Sequence, residues 1–440
     1  MKIGMVSLGC AKNTINSEQM LWRLNDAGYE ISGELAEVDV LIINTCAFIE
    51  SAKSEAIENI LEFAELKKEG RLKKILVTGC LPQRYGREIL DEMPEVDGIL
   101  GCGSFEEIVD AVRAVEAGET PELFGDINAS VEETDRVVTS GDGWAYIKIA
   151  EGCDNHCAFC VIPSIRGRYR SRPMEGILRE ARDLVENTGV IELILVAQDV
   201  TRYGTDFGGK RLLPELLREL SKIDGLERIR LHYLYPDELD DALIAEIASN
   251  PKVMKYIDIP IQHINDAILE RMNRRGSGGE IRELIKKLRR EIPGVVIRST
   301  LITGLPGEGE VEFEELLSFL REAKMERVGV FAFSPEEGTP AAAMPDIPPR
   351  AVAEQRAERI SRLQGDIMDE FNESRVGKTL SVLCEGFDRF AECWFGRSEA
   401  DSPDVDGKVF FTGKAVPGKL VNVHITETLD GELLGEVVEE

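Results

Sequence analysis

Cys153-Asp154-Asn155-His156-Cys157-Ala158-Phe159-Cys160 sets three thiols within eight residues at C-x3-C-x2-C spacing. A structural zinc ion closes a tetrahedron of four ligands and usually draws them from C-x2-4-C pairs. Three thiolates on one tight loop suit a four-iron, four-sulfur cluster instead. Such clusters normally take four cysteines, so the fourth iron is left open to bind a small molecule. The competing readings are a zinc knuckle or three unrelated core cysteines. Cysteine is uncommon, and three so close together are rarely accidental.

Outward from this loop, composition bounds the rest. A chain of 440 residues with 43% hydrophobic and 30% charged residues is a globular protein of two or three domains. Its longest apolar runs, Val40-Leu41-Ile42-Ile43 and Leu193-Ile194-Leu195-Val196, are strand-sized and far short of a membrane span. The opening residues read straight into a strand, without the basic, apolar and small-residue segments of a secretory signal. Nine cysteines in such a chain point to metal or redox chemistry, and a cytoplasmic location is expected. The net charge of −29 disfavours long-range attraction to a phosphate backbone and favours a basic partner.

Before the loop, residues 1 to about 125 alternate strand and helix. Strands are expected at 2–8, 38–44, 74–78 and, less regularly, 96–100, with helices at 17–27 and 51–68. The alternation predicts a parallel α/β sandwich. Cys10, Cys46 and Cys80 each lie a residue or two past the carboxyl end of a predicted strand. In an open α/β sheet those ends share one edge, with the ligand crevice outside it. Thiols more than thirty residues apart are therefore expected to meet and hold a second cluster; buried free cysteines are the alternative. Cys102, in Gly101-Cys102-Gly103, reads as a small residue of a Gly-rich turn, with a fourth-ligand role as the other reading.

Ahead of the loop, a polar stretch at 119–143 marks a boundary. Strands are then expected at 146–149, 192–197, 229–233, 256–259, 295–303 and 328–333. Six strand–helix units fit a complete or partial TIM-like barrel, whose chemistry collects at the carboxyl ends of its strands. Residues 348–375 read as a charged helical connector. Short alternating strands from 377 onward predict a small β-barrel of the OB-like kind.

This assembly resembles the methylthiotransferases of the radical S-adenosylmethionine superfamily, which end in a TRAM domain. The resemblance covers essentially the whole chain. It rests on Val6-Ser7-Leu8-Gly9-Cys10-Ala11-Lys12-Asn13, Asn44-Thr45-Cys46, Thr78-Gly79-Cys80 and the C-x3-C-x2-C loop. Ala11 departs from the proline more usual there. Glu151-Gly152-Cys153, Pro163-Ser164-Ile165-Arg166-Gly167 and Ala197-Gln198-Asp199 resemble the branch that modifies small-subunit ribosomal protein twelve. So do Tyr233-Leu234-Tyr235-Pro236, Ile259-Pro260-Ile261-Gln262-His263 and Phe333-Ser334-Pro335-Glu336-Glu337-Gly338-Thr339. The sister branch acts on transfer-RNA adenosines and usually has Gly-Gln-Asn where this chain has Ala197-Gln198-Asp199.

The resemblance implies three domains: 1–125 with an auxiliary cluster, 139–372 as the radical barrel and 376–440 as the TRAM domain. It implies two 4Fe-4S clusters, on Cys153, Cys157 and Cys160 and on Cys10, Cys46 and Cys80, with S-adenosylmethionine bound at the first. It implies methylthiolation of an aspartate β-carbon in the ribosomal protein and electrons from a flavodoxin or ferredoxin. The last 65 residues carry six lysines and arginines against thirteen acidic residues, a net charge of −7 that suits a basic protein substrate better than RNA. A merely solvated acidic surface is the alternative.

Further candidates lie at strand ends. Gly304 and Gly307 follow a barrel strand, either letting backbone approach the cofactor or forming an ordinary βα turn. Gln198 and Asp199 end another strand and are read as polar contacts to cofactor or substrate. Gln262 and His263 end a third, with a structural role for the histidine as the other reading. Arg166, Arg168, Arg170 and Arg172 alternate, so an extended segment would align them on one face. They are read as ion-pairing residues, or as groups that orient a carboxylate. Cys384 and Cys393 are read as structural.

Overall fold

A computed structural model of the chain describes residues 1–438; Glu439 and Glu440, which end the expected C-terminal domain, lie outside the described residues. Two compact units form. One comprises residues 1–139, 150–172 and 336–339; the other comprises 140–149, 173–335 and 340–440.

The first unit is built on six parallel strands, in the order Glu30–Ile31, Lys2–Ser7, Val40–Thr45, Lys74–Gly79, Gly98–Leu100, Glu122–Leu123. Alternate side chains of a strand point to opposite faces. Accordingly Val40 and Ile42 join one apolar cluster with Met20, Leu24 and Val112, while Leu41 and Ile43 join another with Ala56, Ile60 and Ala64. Helices therefore cover both faces, which lets the central strands be apolar throughout. The two-residue edge strands leave too little pattern to be read from sequence.

The first helix, Ala11–Asp26, begins immediately after Cys10 and six residues earlier than its apolar spacing indicates. Its opening turns bury Lys12, Asn13, Asn16, Ser17 and Glu18. These polar residues interrupt the hydrophobic period but are inside because they find partners there: Asn13 and Ser17 at the strand ends, Asn16 on Arg166, and Glu18 accepting from Thr139 N.

The second unit carries six parallel strands in sequential order: Trp144–Lys148, Glu192–Val196, Arg228–Leu231, Val253–Asp258, Val296–Thr303 and Arg327–Ala332. The first and last do not pair, so the barrel is partial. The helix Arg350–Glu373 leads to a closed five-stranded barrel of Thr379–Asp388, Cys393–Arg397, Val409–Thr412, Glu432–Val437 and Leu420–Leu429. Its core gathers Val382, Cys384, Val409, Phe411, Val423, Ile425 and Leu433. Cys384 is thus a packing residue, and burial pushes its thiol up to about 11.

Within this unit the C-terminal barrel meets the sheet through buried polar groups. Arg327 Nη2 lies 2.8 Å from Asp401 Oδ1, Tyr256 Oη 2.6 Å from Asp406 Oδ2, and His232 Nε2 2.6 Å from Ser402 Oγ. No helix among the described residues is long and apolar enough to cross a membrane.

Candidate functional site

Cys10, Cys46 and Cys80 follow three adjacent strands of the first unit. Thr45 pairs with Gly79, so Cys46 and Cys80 leave the sheet side by side. Gly9, at φ +92°, turns the neighbouring chain inward; a Cβ there would stand 2.6 Å from Cys46 Cβ and 3.3 Å from its Sγ. Only glycine permits that approach. Burial, reinforced by Cys80 and Cys10, pushes the Cys46 thiol up to about 12, as expected where thiols crowd together.

Asparagines fasten these turns. Asn13 Nδ2 donates to Leu8 O and Thr45 O, both at 2.9 Å. Asn44 Nδ2 donates to Asn13 O and Ser17 Oγ, both at 2.9 Å, and Thr45 Oγ1 donates to Thr78 O at 2.7 Å. Sequence reasoning missed this scaffold. Its signal was the polar run after Cys10, where an amphipathic helix would show apolar residues.

Cys102 packs against the same apolar cluster as Cys80, and its N–H donates to Gln83 Oε1 at 2.8 Å. A hydrogen bond from Cys102 and the nearby Arg166 guanidinium hold the Cys80 thiol below its ordinary range.

The 153–160 loop is pinned at its base, where Ala150–Glu151 pairs antiparallel with Arg170–Ser171. Cys153 N donates to Gly167 O at 3.1 Å, and Cys160 N donates to Cys157 O at 3.0 Å. Two amides face sulfur: Asn155 N lies 3.5 Å from Cys153 Sγ and Ile162 N lies 3.4 Å from Cys160 Sγ. Such donors stabilise thiolates and tune a cluster bound to them. Among the described residues, no three His, Cys, Asp or Glu side chains converge tightly enough for a single metal ion. A four-iron cluster asks for a wider spacing, with each thiolate on its own iron, and the donor chemistry of both cysteine groups fits it.

The arginine stripe does not form. Arg166 ends the helix Ile162–Arg166 and is buried, so it leaves the face that an extended segment would give it. Arg168 is exposed, while Arg172 is buried on Glu133, with Nη2 2.6 Å from Oε2.

In the second unit the remaining candidates sit at the carboxyl ends of strands, the edge where such sheets carry chemistry. Asp199 is fully buried and caps the short helix Val200–Arg202, its Oδ1 accepting from Thr201 N at 3.1 Å. Gln198 precedes it, half-buried. Gln262 adopts a left-handed conformation, φ 69°, and its buried Oε1 has no hydrogen-bond partner among the described residues. Tyr233, at the preceding strand's end, has φ 64°. Strained non-glycine residues at successive strand ends mark functional edges.

Gly304 has φ +77°, and a Cβ there would meet Ala353 Cβ at 2.3 Å; one on Gly307 would meet the Arg271 guanidinium at 2.6 Å. The glycines thus answer to the helix and the arginine packed on them. His263 is fully buried; its Nδ1 accepts from Asn265 N at 3.1 Å, which places the proton on Nε2, 3.6 Å from Glu308 Oε2. Burial and Arg356 push its pKa down to about 3, so the ring is neutral and the contact is no ion pair. Glu308 accepts from Gly304 N and from Arg356 Nη1, both at 2.9 Å. Glu308, held by Arg356, therefore locks the glycine turn, with His263 packed beside it.

Three sequence families match consecutive parts of the chain: the uncharacterized protein family UPF0004 over 2–101, the radical SAM superfamily over 147–320 and the TRAM domain over 376–438. Ribosomal protein uS12 methylthiotransferase RimO of Thermoanaerobacter sp. (strain X514) is 48% identical over 437 residues, covering 99% of each chain. Its counterpart in Geobacter sulfurreducens is 46% identical over 443 residues, covering 99% of this chain and 98% of the relative. The solved radical S-adenosylmethionine methyltransferase TsrM of Kitasatospora setae, with tryptophan and a SAM analogue bound, matches at TM-score 0.58 and 14% identity. That match covers 88% of this chain and 79% of TsrM, and at this identity the likeness is one of fold. Kinship over the full length places the chain in the RimO family of ribosomal protein uS12 methylthiotransferases, within the radical SAM superfamily.

Proposed function

We propose that the protein replaces a hydrogen on the β-carbon of an aspartate in ribosomal protein uS12 with a methylthio group. The observation that carries the reading is the pair of cysteine triads in a chain 44–48% identical, end to end, to uS12 methylthiotransferases. Cys153, Cys157 and Cys160 would hold one 4Fe-4S cluster and Cys10, Cys46 and Cys80 the other. When bound, these groups and S-adenosylmethionine supply the radical that takes the hydrogen, the sulfur and the methyl group.

The chain's own residues orient and exclude. The amides of Asn155 and Ile162 donate toward loop sulfurs, and the asparagine scaffold keeps the second triad's turns fixed. Gln262 Oε1, Gln198 and the turn from Gly304 to Gly307 are the candidate contacts to S-adenosylmethionine, with Asp199 and Glu308 holding those turns in shape and His263 packed beside Glu308. On this reading residues 1–125 carry the second cluster, 139–372 the radical chemistry and 376–440 the recognition of a basic protein. A flavodoxin or ferredoxin supplies electrons in the cytoplasm.

Intact-mass measurement of uS12 from a deletion strain, with and without this chain restored, tests the proposal. A gain of one methylthio group, located on an aspartate by fragmentation, is expected. Unmodified uS12 beside a restored thiomethyl group on a transfer-RNA adenosine would overturn it in favour of the sister activity.

A further inference from the structure

Arg166 lies beside Cys80 and beside Glu151, at the base of the 153–160 loop. It closes the helix Ile162–Arg166, six residues beyond Cys160, and only 3% of its surface is exposed. Its Nη2 points at Cys80 Sγ from 3.6 Å and donates to Asn13 Oδ1. Its Nη1 donates to Asn16 Oδ1 at 2.9 Å and reaches Glu151 Oε2 at 3.5 Å. Glu151 lies two residues before Cys153. Phe105 covers the guanidinium, whose carbon lies 5.7 Å from the ring centroid.

A buried guanidinium is costly unless negative charge and hydrogen bonds surround it. Here one carboxylate stands at the far limit of a hydrogen bond, and the asparagine oxygens are neutral. Cysteines that ionise on taking up iron supply the negative charge this cation lacks. Hydrogen bonds and positive charge at a cluster sulfur stabilise the reduced state and raise the reduction potential.

Building on the cluster assignment above, we propose that Arg166 is the positioning residue of the cluster on Cys10, Cys46 and Cys80. Through the Cys80 sulfur it sets that cluster's potential, and through Glu151 it ties the site to the base of the 153–160 loop. A planar fork is needed because the same side chain serves sulfur, two asparagines and a carboxylate in different directions.

The test isolates the second cluster in the full chain by replacing Cys153, Cys157 and Cys160 with Ala, then reconstitutes it anaerobically with iron and sulfide. Iron content and a redox titration followed by electron paramagnetic resonance are read for this parent and for three variants made in it. Arg166→Gln is expected to shift the midpoint to more negative potential at unchanged iron content. Arg166→Lys, which keeps the charge, is expected to restore most of the shift. Glu151→Gln removes the counter-charge and is expected to move the midpoint the opposite way. Unmoved midpoints in Arg166→Gln and Glu151→Gln overturn the proposal. If Arg166→Gln does not fold, the sign of the Glu151→Gln shift decides it. A parent that takes up no iron refutes the cluster assignment itself, and the role of Arg166 falls with it.

Discussion

Arg397 Nη1 lies 3.3 Å from Glu192 Oε1, joining the last residue of a strand in the C-terminal barrel to the first residue of a strand in the central sheet. Arg230 Nε reaches the same oxygen at 2.8 Å, and Arg397 Nε donates to Glu385 Oε1 at 2.6 Å. Glu192 and Arg230 have no exposed surface. Burial opposes ionisation of Glu192, but Arg397, Arg230 and Arg228 prevail and hold its carboxyl down at about 2. A folded-state pKa below the unfolded one contributes stability that is complete above about 4.5 and is lost as pH falls toward 2.

Removing Glu192 leaves two arginines buried without their shared carboxylate. Glu192→Ala is therefore expected to destabilise the second unit by about 3–5 kcal/mol, the usual consequence of breaking a buried pair from one side. Denaturant titration measures the loss, and limited proteolysis between Glu373 and Thr379 should release the small barrel sooner than in the parent. A change below about 1 kcal/mol would mean that the network is solvated in solution.

His263 gives the chain a pH dependence in a milder range. Its folded-state pKa of about 3 lies below the ordinary 6.5, so below 6.5 the unfolded chain binds a proton that the folded one refuses. Stability is complete above 6.5 and falls with acidification by up to about 1.4 kcal/mol per pH unit until the folded value is reached. Between pH 7.5 and 5.5 the parent should lose about 1 kcal/mol more than His263→Gln does. Parallel losses in the two proteins would show that the ring is already charged in the folded state.

The glycine turn beside His263 separates strain from simple flexibility. Gly304→Ala places a methyl on Ala353 in a left-handed conformation and is expected to cost about 2–3 kcal/mol. Gly365, inside the helix Arg350–Glu373, has open space where its Cβ would be and an ordinary helical φ. Gly365→Ala is expected to raise stability by about 0.5–1 kcal/mol, since it removes only unfolded-state freedom. Thermal melts of the two variants should therefore move in opposite directions.

Those contrasts mark what a linear sequence can and cannot convey. That Cys10, Cys46 and Cys80 are neighbours was readable because apolar runs locate strands, and parallel strands end on one edge. The six-strand partial barrel followed from the same rhythm. Burial of polar residues was not readable. Ser398, Asp401 and Ser402 look like a solvated acidic turn, yet each is almost fully buried through its partners in the central sheet. Arg166 looked like one member of a surface stripe because alternation implies a strand; a single turn of helix took it inside, beside Cys80. Partners distant in sequence decide such cases, and no local pattern contains them.

The two cysteine triads should be separable by chemistry as well as by position. Each lies on its own stretch of backbone: one on a loop closed by Cys153 N–Gly167 O, the other at three strand ends tied by Asn13 and Asn44. Replacing either triad with Ala should therefore leave the other intact and lower the iron content to about half. The variant lacking Cys10, Cys46 and Cys80 should still form 5′-deoxyadenosine from S-adenosylmethionine under reducing conditions, but should leave uS12 without sulfur. The variant lacking Cys153, Cys157 and Cys160 should form none. Undiminished cleavage in the latter would remove the basis for assigning radical chemistry to the loop. Loss of all iron from the variant lacking Cys153, Cys157 and Cys160 would refute the assignment of a cluster to Cys10, Cys46 and Cys80.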